Sequence, residues 1–154
     1  MIDTMQSADV TNAERFERVG IVADAQTASN TRDEFAAWLR EFFTLDPIRS
    51  SDVVLAINEA LANCAEFAYL EGGAGTMDVL AWHDAVDSSI TVLVSDQGSW
   101  RPPIVPSMRS RGRGIPLMEA LSDRASIETS DRGTSVRLEW ADVAPVVLRS
   151  RSAH

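Results

Sequence analysis

The sequence contains no lysine, so all 14 of its basic residues are arginine. A chain without lysine excludes every mechanism that uses this residue as a nucleophile, as a Schiff base or as the phosphate ligand of a P-loop. Acidic residues outnumber basic ones by 23 to 14, which gives a formal net charge of −9 at pH 7. General binding to nucleic acid needs a surface of clustered cations, so we expect no direct nucleic-acid partner.

Cysteine and long apolar runs are also scarce. The single cysteine, Cys64, can form no internal disulfide and has no neighbours at metal-ligand spacing, so we expect it to be a small core residue. Charged residues interrupt every apolar run before the ~20 residues that a membrane-spanning helix needs. The first residues lack the basic start and apolar centre of a signal peptide. We therefore expect a cytoplasmic protein without a membrane segment.

With 154 residues, of which 45% are hydrophobic, the chain has the length and balance of one globular domain. Polar residues without periodicity occupy both ends of the sequence. We therefore predict a flexible N-terminal arm over residues 1–14, a folded domain over 15–141 and a C-terminal tail over 142–154.

Hydrophobic periodicity and capping residues predict three helices and five strands. A possible capping box of Thr31 and Glu34 begins the first helix, which ends before Pro47, and an N-cap within 50–52 begins a longer helix that ends near Glu71. A third, short helix is predicted over 115–122, and strands are predicted over 16–23, 77–83, 88–95, 125–129 and 135–140. This order favours a two-layer α+β sandwich over a doubly wound sheet.

The long second helix carries the first candidate pair, Glu59 and Asn63. Its predicted core stripe consists of Val54, Ile57, Leu61, Ala65 and Ala68. Glu59 and Asn63 lie four residues apart on another side, among small or apolar neighbours, which half-hides the carboxylate. Such a carboxylate needs a cation, a hydrogen-bond donor or a chemical task. The alternative is an exposed glutamate beside an asparagine.

Asp96 and Gly98 lie where the chain leaves a strongly apolar strand. A buried carboxylate at a strand end can accept from an amino group such as that of adenine, and a glycine lets a flat ring approach the backbone. The alternative is an ordinary turn, since aspartate and glycine are standard turn formers.

Gly112, Arg113 and Gly114 lead directly into the short helix. Glycines before a helix expose free N–H groups at the positive end of the helix dipole, which together form an anion site. Four arginines cluster in this segment of an acidic protein, as a polyphosphate would require: Arg101, Arg109, Arg111 and Arg113. A solvated loop without a ligand is the alternative. Farther along, Gly133 and Thr134 precede the last strand. A hairpin turn explains the glycine there but not the hydroxyl group of Thr134.

Together these four elements resemble the N, G1, G2 and G3 boxes of the GHKL ATPase superfamily. The stretches NEALANCAEFAY, SDQGSWRPP, RGRGIPLMEALSDR and RGTSVRLEW are similar to the stand-alone anti-sigma-factor serine/threonine kinases of the actinobacterial type. The resemblance covers roughly residues 16–140. It implies a Bergerat-type ATP-binding fold, with a mixed, mostly antiparallel sheet covered by about three helices.

The resemblance also implies a role for each matching residue. Glu59 would be the general base, Asn63 the magnesium ligand, and Asp96 the acceptor of the adenine amino group. Gly98 would leave room for the ring, Gly112 and Gly114 would direct N–H groups to the phosphates, and Thr134 would hydrogen-bond near Asp96 and adenine. Arg113 adds charge to the phosphate site by its sign and position. Phe67 stands where relatives often have histidine, and Pro116 lies in the phosphate-side helix.

The resemblance predicts a kinase that uses ATP and Mg²⁺ to phosphorylate a STAS-type anti-sigma-factor antagonist, that can sequester a sigma factor, and that forms a homodimer. One alternative is a non-catalytic nucleotide-binding module that binds a protein partner. Another is the catalytic half of a histidine kinase, for which the sequence offers only His83 and His154 and no helical hairpin to carry a phosphorylated histidine.

Overall fold

A computed structural model describes residues 9–70, 75–96, 114–130 and 133–146. Three α-helices lie in this part of the chain: α1 (Ala25–Phe42), α2 (Pro47–Leu70) and α3 (Gly114–Leu121). The strands are β1 (Asp9–Thr11), β2 (Arg15–Val22), β3 (Phe43–Thr44), β4 (Thr76–Asp84), β5 (Ser89–Asp96), β6 (Arg124–Ser130), β7 (Gly133–Trp140) and β8 (Ala144–Pro145).

Six of these strands form one sheet in the order β1-β2-β4-β5-β7-β6, and neighbouring strands pair antiparallel throughout. The helices form a single layer on this sheet: α1 packs on β2, α2 on β4 and β5, and α3 on β6. Helix α2 is central and contacts both other helices. The predicted two-layer α+β architecture is therefore confirmed.

The core lies between the two layers and begins with an aromatic cluster. Phe16 of β2 packs against Phe35 and Trp38 of α1, and Trp38 also contacts Phe43, with ring centroids 4.9–5.9 Å apart. Alternate residues of β4, β5 and β7 continue the core toward Trp140. Cys64 is 2% exposed within it, as the sequence predicts.

The predicted start of α1 was wrong. The helix begins at Ala25, six residues before the expected cap Thr31. Asp24 is the N-cap, since its Oδ1 accepts the N–H of Thr27 at 2.7 Å. Thr31 is instead buried within the helix, and Glu34 pairs with Arg18 at 2.7 Å. A threonine that is buried within the helix does not cap its start.

The start and the core stripe of α2 also differ from the prediction. Pro47 opens the helix, where its missing N–H costs nothing, and Asp46 rather than a residue within 50–52 accepts the N–H of Arg49, at 2.8 Å. Val54 is only half-buried. The buried set is Val53, Ala56, Ile57, Ala60, Leu61, Cys64 and Ala65, which is wider because α2 has neighbours on three sides. The side chain of Ala68 lies outside the described residues.

The expected ends of the chain include ordered structure. In the part of the predicted N-terminal arm that the structure describes, β1 pairs with β2, and the O atom of Asn12 accepts from Nε1 of Trp38 at 2.7 Å. In the predicted tail, Val143 is fully buried and β8 pairs with β3. Residues 1–8 and 147–154 lie outside the described residues. In the described ranges, no helix is both long and apolar enough to cross a membrane.

Candidate functional site

Asp96 is the last residue of β5, and its side chain is buried with the residue 6% exposed. It is the only carboxylate among the buried residues in the described part of the chain. The alternation of β5 requires this burial, because Val92 and Val94 lie on the same core-facing side. A carboxylate in such a place needs hydrogen-bond donors to offset its desolvation.

One donor to Asp96 is the backbone of Thr134. The N–H of Thr134 donates to Oδ2 of Asp96 at 3.1 Å. The strand register explains the contact: Ser95 of β5 pairs with Ser135 of β7, so Asp96 and Thr134 are the next residues at this end of the ladder. The structure thus brings together two predicted site residues that lie 38 positions apart in the sequence.

Glu59 and Asn63 are both half-buried on α2. Two contacts fix the orientation of this helix. Asn58 accepts from Nη1 of Arg32 on α1 at 3.3 Å, and Arg49 pairs with Asp123, just beyond α3, at 2.9 Å.

The helical period of about 100° per residue then assigns Glu59 and Asn63 to a side of α2. Asn58 marks the flank toward α1. Asn63 lies about 40° from Arg49, on the flank toward α3, whereas Glu59 lies about 80° from Arg49 and is turned toward the outer face of α2. Both residues are half-buried, as the sequence predicts, and their roles in a site stay a prediction.

The neighbours that we expected around Glu59 divide into two groups. Ala56, Ala60 and Cys64 belong to the core, whereas Leu55 and Ala62 are exposed to solvent. The carboxylate of Glu59 consequently lies at a border between the α3-facing flank and the outer face of α2.

Helix α3 begins at Gly114, and its Met118 is fully buried. The helix packs against α2, and its first N–H groups have no acceptor within the helix. Pro116 lies exposed in the first turn, where proline is tolerated. The other predicted residues of this region, Gly98, Gly112 and Arg113, lie outside the described residues, as does the side chain of Phe67.

No group of three or more His, Cys, Asp or Glu residues in the described ranges could hold a metal ion. Asn63 on α2 offers a side-chain amide oxygen. Hard cations such as Mg²⁺ accept this type of oxygen ligand, and magnesium commonly keeps water and phosphate in its coordination shell.

Sequence reasoning missed the backbone amide of Thr134 as the group that meets Asp96, because it considered only the hydroxyl. The signal was present in the pattern of the strands: two antiparallel neighbours that end together bring their terminal residues into contact. Sequence reasoning also missed the exposure of Leu55 and Ala62 beside Glu59.

Comparison with known proteins agrees with this geometry. The family described as "Histidine kinase-like ATPase domain" matches residues 21–140. The chain is similar in structure to the RsbU and RsbW domains of Rv1364c from Mycobacterium tuberculosis, with 24% identity and a TM-score of 0.63. That match covers 86% of this chain but 33% of the other, so this chain spans about one third of it.

A second similar structure is the histidine kinase domain of a blue-light activated histidine kinase from Erythrobacter litoralis, with 15% identity and a TM-score of 0.53. This match covers 88% of the present chain and 71% of the other. Both likenesses concern the fold, whereas the family match extends over most of the sequence. The chain therefore belongs to the histidine kinase-like ATPase domain family, whose GHKL-type members bind ATP.

Proposed function

We propose that this chain is an ATP-dependent anti-sigma-factor serine/threonine protein kinase that phosphorylates an anti-sigma-factor antagonist. The observation that carries the proposal is the contact between Asp96 and the Thr134 N–H, because it joins two of the four motifs at one end of the sheet. Membership in the ATPase family supports the nucleotide. The likeness to a structure that contains an RsbW domain favours a regulatory role with protein partners.

The adenine end of the site would consist of Asp96, Gly98 and Thr134. A carboxylate has about four acceptor positions, so Asp96 can take the Thr134 N–H and also the exocyclic amino group of adenine. Burial strengthens such a hydrogen bond and disfavours a nucleotide that presents a carbonyl oxygen there. Gly98 would leave the space that the ring requires.

The phosphate end would consist of Gly112, Arg113 and Gly114 at the start of α3, with Asn63 facing them from α2. Free N–H groups at a helix N-terminus and an arginine both favour anionic phosphate. The amide oxygen of Asn63 suits Mg²⁺, which when bound would neutralise phosphate charge. The half-buried position of Asn63 on the α3-facing flank fits this role.

Glu59 would act as the general base. A serine or threonine hydroxyl of the partner loses its proton to the Glu59 carboxylate as its oxygen bonds to the γ-phosphorus, and the bond from that phosphorus to the β,γ-bridging oxygen breaks to release ADP. Positioning and charge neutralisation supply most of the acceleration in such a transfer, and a placed base typically adds about 10²- to 10⁴-fold.

The partners follow from the same proposal. We infer a STAS-type antagonist as the phosphoryl acceptor, a sigma factor as a second protein that the chain sequesters, and a homodimer as the working assembly in the cytoplasm. The acidic balance of the chain, with a net charge of −9, disfavours a direct role for nucleic acid in this exchange.

The proposal is tested by incubating the purified chain with Mg·ATP labelled at the γ-phosphate and a lysate of the organism that encodes it. An acid-stable label on a small protein would support transfer to serine or threonine and would yield the acceptor for identification. An acid-labile label would contradict the proposal in favour of histidine or aspartate chemistry. Absence of label, with ATP binding measured separately, would contradict it in favour of a nucleotide-dependent binding module.

A further inference from the structure

The fully exposed side chains that the structure describes on α2 are all uncharged, whereas the carboxylates of Asp52 and Glu59 lie half-buried beside them. These exposed residues are Pro47, Ile48, Ser51, Leu55 and Ala62. Helix α1 of the same layer differs sharply, because its exposed positions include Asp33, Glu34, Arg40 and Glu41. The fully exposed positions of α2 are thus less charged than those of α1, as is typical of the centre of a protein-binding surface.

Three of these residues recur along one side of α2 about 10 Å apart, and Asp52 and Glu59 lie between them. Ile48, Leu55 and Ala62 recur at intervals of seven residues, or two helical turns, so they share one face over about 21 Å. Ile48 is 76% exposed and Leu55 is 41% exposed, which places both among the most exposed large apolar side chains that the structure describes. We call these three residues the outer stripe.

The outer stripe runs directly beside Glu59. Leu55 precedes Glu59 by four residues and Ala62 follows it by three, and residues at these spacings have Cβ atoms about 5–6 Å apart on a helix. A protein that brings a hydroxyl group to the carboxylate of Glu59 from solvent must therefore cover Leu55 as well.

We propose that the outer stripe is the docking surface for the protein that accepts the phosphoryl group. This inference rests on the proposed kinase function and assigns its acceptor-binding surface. The acceptor presents an apolar patch next to its serine or threonine, which covers Leu55 and Ile48. Along the edge formed by Asp52 and Glu59 its surface is neutral or cationic, because a carboxylate there would face two others without compensation.

The test compares the parental chain with Leu55→Gln and Ile48→Gln, and with Val86→Gln as the matched control. Val86 is 93% exposed in the turn between β4 and β5, so the control makes the same chemical change far from α2. Glutamine is a good helix former and leaves the backbone of α2 intact. Initial rates of acid-stable labelling are measured with γ-labelled ATP over a dilution series of the lysate described above, and the Kd for ATP is measured by calorimetry.

We expect Leu55→Gln and Ile48→Gln to reduce the rate about tenfold at low acceptor concentration, as loss of an apolar anchor does at an interface. The difference should diminish as the acceptor approaches saturation. The Kd for ATP should stay at the parental value, and Val86→Gln should behave as the parent.

Three results would overturn the proposal. If both stripe variants transfer phosphate at the parental rate, the outer stripe does not bind the acceptor, and the proposed kinase function is unaffected. If the Kd for ATP rises in the stripe variants, the substitutions act on nucleotide binding and not on docking of the acceptor. Loss of self-association in sedimentation experiments, with unchanged transfer, would assign the stripe to a second copy of this chain. If the parental chain labels no acceptor, the proposed function and this inference fail together.

Discussion

The N–H of Thr134 at the start of β7 donates to Oδ2 of Asp96 at the end of β5, across 3.1 Å. This hydrogen bond orients a buried carboxylate at the rim of the sheet, next to the segment that leads toward α3. It also couples Asp96, which we propose to bind adenine, to the last hairpin, so the proposed site depends on the pairing of β5 with β7.

Replacing Asp96 with asparagine should weaken ATP binding. The substitution preserves shape but removes the charge of the acceptor, and a hydrogen bond to a charged group is worth on the order of 1.5–3 kcal/mol. The Kd for ATP, measured by calorimetry, should therefore rise by roughly 10- to 150-fold.

Asp84→Asn is the matched control for this measurement. Its Oδ1 also accepts backbone N–H groups, from Val86 and Asp87, but in the turn at the opposite end of β4 and β5. The control should bind ATP as the parent does. Equal affinity of the Asp96 variant and the parent would remove Asp96 from the nucleotide site.

Trp38 on α1 forms a hydrogen bond to the backbone directly after β1. Its indole is 1% exposed, and Nε1 donates to the O atom of Asn12 at 2.7 Å. Trp38→Phe should lower the free energy of unfolding by about 1–3 kcal/mol, because it removes this bond and leaves a gap among the aromatic rings. Urea denaturation measures the loss, and hydrogen exchange at residues 9–11 should become faster.

Trp82→Phe serves as the control, since Trp82 is only half-buried on β4. Trp82→Phe should lower the free energy of unfolding by less than Trp38→Phe does, and hydrogen exchange in β1 should stay at the parental rate. If Trp38→Phe is no less stable than Trp82→Phe, the indole contact does not hold β1 in place.

Asp24 makes the stability of α1 depend on pH. The hydrogen bonds from the Thr27 N–H and then from the Thr27 hydroxyl hold the pKa of Asp24 below its ordinary value. The unfolded state therefore binds this proton more readily, so the contribution is present above the ordinary pKa of about 3.9. It is lost as the pH falls through the lower folded-state pKa.

Urea midpoints of the parent and Asp24→Asn, measured from pH 7 down to pH 2.5, test this sign. The parent should lose more stability than the variant below about pH 4, because asparagine caps the helix without titrating. Parallel curves for the two proteins would show that the cap does not contribute to acid unfolding.

The elements with strong internal patterns could be predicted from the sequence, whereas those held by distant contacts could not. Alternation of apolar residues predicts the hairpin of β4 and β5 closely. Strands β3 and β8 have two residues each and exist because the Phe43 and Pro145 regions meet in space. No local pattern encodes such a pair, and the same is true of β1.

The candidate site divides in the same way. Glu59 and Asn63 follow from a four-residue spacing on one helix, and Asp96 follows from the end of an apolar strand. That Asp96 contacts the amide of Thr134 depends on strand order and register, which a single sequence does not contain. The misplaced core stripe has a similar cause, since α3 and α1 bury flanks of α2 that look solvent-facing in isolation.

The most direct test of the proposed kinase function is a paired measurement on Glu59→Gln, with Glu41→Gln on the exposed face of α1 as its control. Both variants should bind Mg·ATP with the parental Kd, and only Glu59→Gln should lose transfer of the γ-phosphoryl group, by at least about 100-fold. If Glu59→Gln transfers the γ-phosphoryl group at the parental rate, Glu59 is not the general base.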